Sequence, residues 1–215
     1  NWGFLASYNG TKPGADYFFG LYKGPGAFSV LASPTISGSK QQFQQLRPMS
    51  TMLFGGFAKT QKAWKLYSEI MVQNSHSGVD DDVGRYMLGA KYRETNNANK
   101  IGLEEIAPII ELTDEIVING FDNGNTYVSS ASSRLNPHNL IGAVELIINS
   151  ESSLRFSTNY NLKDHDNSVV LNYEYKPNDN LSFTTTFYDF GGESNTHFGS
   201  YRRNTSLEFG VRSKF

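Results

Sequence analysis

The sequence predicts an all-β protein, a closed antiparallel transmembrane β-barrel of about twelve strands with short periplasmic turns and longer extracellular loops. Three observations predict it. Apolar and polar residues alternate along successive segments, the pattern of strands with one apolar and one polar face. The links between those segments alternate between short and long. The 215 residues are only 38% hydrophobic yet include 12 Tyr, 15 Phe and 20 Gly, which suits half-polar strands and excludes apolar helices of ~20 residues.

Taken in order, the candidate strands begin with Asn1 to Tyr8, Asp16 to Tyr22, Ala27 to Ala32 and Ser50 to Ala58, the last without a clear choice of faces. Next, Trp64, Leu66, Ile70 and Val72 oppose Lys65, Tyr67, Glu69 and Gln73, and Tyr86, Leu88, Ala90 and Tyr92 oppose Arg85, Lys91 and Arg93. In "KIGLEEIAPIIEL" Pro108 removes a ladder donor, and the spacing also allows a short helix. Leu140 to Ile148 follows, then a segment with Leu154, Phe156, Tyr160 and Leu162 against Arg155, Asn159 and Lys163. Val169, Leu171, Tyr173 and Tyr175 oppose Asn172, Glu174 and Lys176; Leu181, Phe183 and Phe187 oppose Ser182, Thr184 and Thr186. The final segment sets Leu207, Phe209, Val211 and Phe215 against Glu208, Arg212 and Lys214.

The links "KGPG", "KTQK", "NSESS" and "PNDN" are short, and those around "GVDDD", "DNGN" and "GGESNTHFGS" are longer. A hairpin of "EIVINGF" and "TYVSSASSRL" around "DNGN" would raise the count to about fourteen strands. Trp64, Tyr92, Tyr175 and Phe215 are expected near the short turns, and Tyr8, Tyr17, Tyr86 and Tyr160 near the long links, as two interfacial girdles. The two "FGG" stretches, at Phe54 and Phe190, read as close-packing or turn glycines.

Residues 1–215 are expected to form a single barrel domain, and a chain that does not begin with Met is expected to be a processed form. The absence of Cys excludes disulfides and thiolate metal sites. A net charge of −2 offers no general basis for binding nucleic acid. No cofactor, metal site or catalytic group is expected.

With the polar face turned inward, the wall carries Lys65, Arg85, Lys91, Arg93, Arg155, Lys163, Lys176, Arg202, Arg212 and Lys214 against Glu69, Glu145, Glu174 and Glu208. A positive lumen concentrates anions, so a passive channel for small anionic or sugar-like solutes is expected. Glu69 with Arg85, and Glu145, Arg155 and Glu174 among themselves, are expected to pair across the ladder. Arg93, Lys163, Arg202 and Arg212 have no evident acidic neighbour and are the preferred solute contacts.

The last strand resembles the C-terminal assembly signal of bacterial outer-membrane proteins, with Glu208, Gly210 and a terminal Phe215, although Ser213 departs from it. That resemblance implies the bacterial outer membrane, recognition of Phe215 by the barrel-assembly machinery, and the bilayer with its lipopolysaccharide as surroundings. "VVLNYEYKPND", "VELIINSESSLRFSTNYNLKD" and the last strand are also similar to the small monomeric acidic-oligosaccharide porins, the oligogalacturonate and sialic-acid channel group. This likeness implies twelve strands and a porin. Two other functions remain open. Loop residues His76, His138, His165, His197, Asp164, Asp166 and Asp80 to Asp82 could serve a rim protease or lipid-modifying enzyme; or the barrel could be plugged and adhesive.

Overall fold

The computed structural model describes residues 2–26, 30–32, 35–37, 40–42, 44–76, 80–120, 127–128 and 138–214. Its elements, in chain order, are β1 (Phe4–Lys12), β2 (Ala15–Pro25), β3 (Val30–Ala32), β4 (Thr35–Ser37), β5 (Lys40–Gln42), β6 (Gln45–Leu46), β7 (Met49–Gln61), β8 (Trp64–Ser75) and β9 (Asp82–Tyr92). A short helix α1 (Asn96–Lys100) leads to β10 (Glu105–Asn119), β11 (Tyr127–Val128), β12 (Asn139–Asn149), β13 (Ser152–Asn161), β14 (Asn167–Asn178), β15 (Leu181–Gly191), a 3-10 turn (Gly199–Tyr201) and β16 (Ser206–Ser213). Eleven strands form the main sheet, in the order β1-β2-β7-β8-β9-β10-β12-β13-β14-β15-β16.

Of the expected strand Ala27 to Ala32, residues 27–29 lie outside the described residues, and the rest is β3, which pairs with β6 and β11 in a separate small sheet. "KGPG" is not a turn, because β2 runs through Pro25 and stays paired with β7 to Pro25↔Met49. "EIVIN" forms the end of β10, while "DNGN" and most of "TYVSSASSRL" lie outside the described residues. Pro108 is tolerated inside β10 because of where its backbone points. Ile106 exchanges both backbone hydrogen bonds with Glu94, so the alternating pattern turns position 108 toward β9 just where that strand ends at Tyr92. Phe215 lies outside the described residues.

The chain divides into two units, residues 1–59, 67–87 and 114–137, and residues 60–66, 88–113 and 138–215. In the first, β1 pairs antiparallel with β2 through a turn at residues 13–14, where Gly14 takes a φ of 72°. Glycines on β2 and β7 receive aromatic rings from across the ladder. A Cβ on Gly20 would lie 2.3 Å from the Phe54 ring, and one on Gly56 2.4 Å from Phe18; each glycine is the register partner of that ring's residue. The first "FGG" is thus a close-packing feature. In the second, Gly192 adopts a φ of 127° at the turn after β15.

In the second unit β12 to β16 form a consecutive antiparallel meander joined to β10. Residues 150–151 and 179–180 make its tight turns, while residues 192–205 make a longer connection. That connection docks on the β13–β14 turn through Asp166, whose Oδ2 accepts the Phe198 N–H at 2.5 Å.

The exposure pattern of both units is the reverse of a water-soluble core. Buried apolar side chains among the described residues are few: Val30, Met52, Val83, Ala98, Ala107, Ala143 and Phe198. On β14, Leu171, Tyr173 and Tyr175 are exposed while Asn172 and Glu174 are half-buried. On β15, Phe183 and Phe187 are exposed while Ser182, Thr184 and Thr186 are half-buried. Phe19 and Leu21 on β2, Leu53 and Phe57 on β7, and Leu66 and Ile70 on β8 repeat the pattern.

Candidate functional site

The more covered polar face is held by ion pairs. The bridge between Glu94 and Ile106 sets the β9–β10 register. Continued along both strands, that register places Arg85 opposite Glu115 and Tyr86 opposite Asp114. Both pairs are made: Arg85 Nε donates to Glu115 at 2.7 Å and the Tyr86 hydroxyl to Asp114 at 3.2 Å. Glu115 is only 7% exposed. The pairing expected between Arg85 and Glu69 is therefore replaced; Glu69 is exposed on β8.

Glu145 is the hub of the second unit. Its register partner Arg155 donates to Oε1, and Lys91 reaches Oε2, each at 2.5 Å. Lys91 makes this contact across β10, where Ala107, the register partner of Glu145, leaves room for its stem. The expected pair of Glu145 and Arg155 is present. Glu174 does not join it: Ser153 is its β13 partner, and its carboxylate binds Lys176 on its own strand at 2.8 Å.

Arg93, expected to lack an acidic neighbour, donates twice to Glu105, at 2.8 Å from Nε and 2.5 Å from Nη2. These bonds, then the carboxylate's charge, raise the Arg93 pKa further. Lys163 and Arg202 lie in connections rather than in strands. Lys163 is exposed in the turn after β13, because the strand ends at Asn161, whose side chain receives the next backbone N–H groups. Arg202 follows the 3-10 turn and donates to the Gly199 carbonyl at 3.4 Å. Arg212 and Glu208 lie exposed on β16, a strand with little burial on either face.

The residues missed from the sequence are Glu105, Glu111 and Glu115. They share one face of β10 by strict alternation, a signal visible once Pro108 is accepted within a strand. Adding these acids, and moving Lys163 and Arg202 to turns, brings the basic and acidic residues of the polar face nearly level. Among the described residues, Arg212 and Lys214 are cations of that face with no ion pair to an acid.

Aromatic pairs mark the strand ends. Trp64 and Tyr92 pair at 4.9 Å, and Tyr175 stacks on Phe183 at 6.3 Å. Tyr8 and Tyr17 also pair, at 6.2 Å, beside the residue 13–14 turn rather than toward a long link. The early chain reversal at Pro13 and Gly14 puts them there.

Three of the four histidines have separate neighbours among the described residues. His76 Nε2 lies 2.6 Å from the Thr51 hydroxyl. His165 Nδ1 lies 3.0 Å from the Tyr160 hydroxyl, and His197 packs against Phe198 and Tyr201. Among the described residues no cluster of three His, Asp or Glu side chains is arranged to hold a metal ion.

No protein-family model and no curated protein matches the chain. Among solved structures it is similar to a KdgM porin, at 10% identity over 99% of this chain and 98% of that one, with a TM-score of 0.43. A KdgM porin in complex with disordered oligogalacturonate aligns at 11% identity over the same shares, with a TM-score of 0.40. The calcium-bound dimer of the Salmonella typhi outer membrane phospholipase aligns at 12% identity over 99% of this chain and 77% of that one, with a TM-score of 0.37. The weak porin resemblance expected from the sequence is present in these neighbours, and at such scores no residue role is carried over from them.

Proposed function

We propose that the chain is an outer-membrane channel, a closed β-barrel through which small solutes diffuse passively. The observation that carries this reading is the inverted exposure: apolar side chains face out of the sheet while the half-buried face is polar and ion-paired. Lipid accepts the first surface, and a hydrated lumen accepts the second. Sheet closure satisfies the backbone groups of the edge strands β1 and β16.

The pore-lining set is Arg85, Lys91, Arg93, Arg155, Arg212, Glu69, Glu145, Glu174 and Glu208, with Lys163 and Arg202 at its mouths. Arg212 and Lys214 give the lumen its anion preference, since most other cations there are neutralised by bonded carboxylates. Reconstitution into planar bilayers tests the reading. Stepwise current with a modest anion preference is expected, and Arg212→Gln with Lys214→Gln shifts that preference toward cations. Folded, inserted protein that passes no current at any voltage would overturn the channel and favour a plugged, adhesive barrel. Lipid or peptide hydrolysis lost on replacing His165 would favour the enzyme.

A further inference from the structure

A cavity of about 650 Å³ opens at the end of the polar face where the residue 150–151 and 179–180 turns lie. Its volume falls among small-molecule sites of roughly 300–1,000 Å³. Charge is largely separated along its wall, with Asp179 in the turn between the two flanks. Arg212 and Lys214 form one flank on and just beyond β16, with Ser182 as the register partner of Arg212. Glu174 and Glu151 form the other: Glu174 lies on β14, and the Glu151 carbonyl accepts the Lys176 N–H of that strand at 2.7 Å. Glu174 is already bonded to Lys176. Among the described residues no ion pair joins Glu151, Arg212 or Lys214 to another side chain.

We propose that this cavity is a subsite for small zwitterionic solutes of the amino-acid or short-peptide class. The carboxylate lies against Arg212 and Lys214, and the ammonium against Glu151 with Glu174. β16 stands two strand spacings, about 10 Å, from β14. An extended dipeptide of about 7 Å with a charge-assisted hydrogen bond of about 2.8 Å at each end spans about 13 Å, a reach that the long flanking side chains meet by splaying outward from their strands. A plain anion would satisfy one flank and meet unpaired carboxylate on the other. Ser182, Asn178 and Asn180 line the space between and offer hydrogen bonds to the peptide group.

The subsite rests on the channel reading for its access, so the experiment separates the two. Binding of glycylglycine, its N-acetyl form and its amide to the detergent-solubilised full chain is measured by calorimetry. Permeation of the same solutes and of a neutral disaccharide is measured by liposome swelling. The zwitterion is expected to bind about three- to fivefold tighter than either singly charged form, the worth of an exposed ion pair. Arg212→Gln with Lys214→Gln should abolish the advantage over the amide, and Glu151→Gln should reduce the advantage over the N-acetyl form. Equal binding of all three forms, or tightest binding of the N-acetyl form, overturns the subsite even if the disaccharide permeates. Selective binding without permeation overturns the channel and leaves the subsite standing.

Discussion

Asp166 is fully buried, and its two oxygens have different surroundings. Oδ2 receives the Phe198 N–H, while Oδ1 has no hydrogen-bond partner among the described residues. Asp166→Ala leaves a buried N–H unsatisfied, at a cost of about 1–3 kcal/mol. The loss should be local: faster amide exchange at Phe198 and earlier proteolysis in residues 192–205, with β13 and β14 protected as before. Equal protection of Phe198 in both proteins would remove the latch role. Glu94, beyond the end of β9, has a pKa held below the ordinary glutamate value, chiefly by the Asn97 N–H and then by the Tyr92 hydroxyl. A depressed folded pKa contributes stability that is present above the unfolded value and is lost as pH falls through the folded one. Protection of the Asn97 amide should therefore weaken on acidification below pH about 4, and Glu94→Gln should remove that dependence.

β7 shows how an element can depend on residues with no side chain. A Cβ at Gly56 would sit 2.4 Å from the Phe18 ring and 3.0 Å from the Ser68 carbonyl. Gly56→Val should destabilise the β2–β7–β8 ladder by about 1–3 kcal/mol, read as an earlier urea midpoint in detergent. An unchanged midpoint would mean that the ring swings clear at no cost. The same scale explains what the sequence made legible. The last strands alternate cleanly because β12 to β16 are consecutive and regular, with tight turns at residues 150–151 and 179–180, so their faces and the Glu145–Arg155 pair follow from spacing. β10 was obscured by Pro108, which hid Glu105, Glu111 and Glu115 and left the cations of β9 without their acids. A period of two continues in the sequence past Asn161, where the strand hydrogen bonding ends, and so it does not show that Lys163 lies in a turn. Only the ladder reveals that Asn161 turns the chain.

Among the described residues, the apolar side chains provide too little protein interior to account for so many exposed rings and aliphatic groups. The proposed channel places those groups against lipid, and it makes the two faces respond unequally to one substitution. Leu171→Arg, on the apolar face, should cost about 2–4 kcal/mol near the bilayer midplane. Thr184→Arg, whose register partners are Glu174 and Gly210, should cost far less. Folding yields into liposomes at graded urea would measure the difference, and equal losses would refute lipid as the solvent of that face.

The ring pair of Trp64 and Tyr92 adds an optical consequence. The chain has two tryptophans, so Trp2→Phe leaves a lone indole emitter at the opening of β8, half exposed beside a phenol. An indole seated at the headgroup level is darkened by bromine on the upper carbons of an acyl chain and scarcely by bromine near its tail. One residue thereby becomes a depth gauge, able to record when and how far each newly folding molecule sinks into its bilayer.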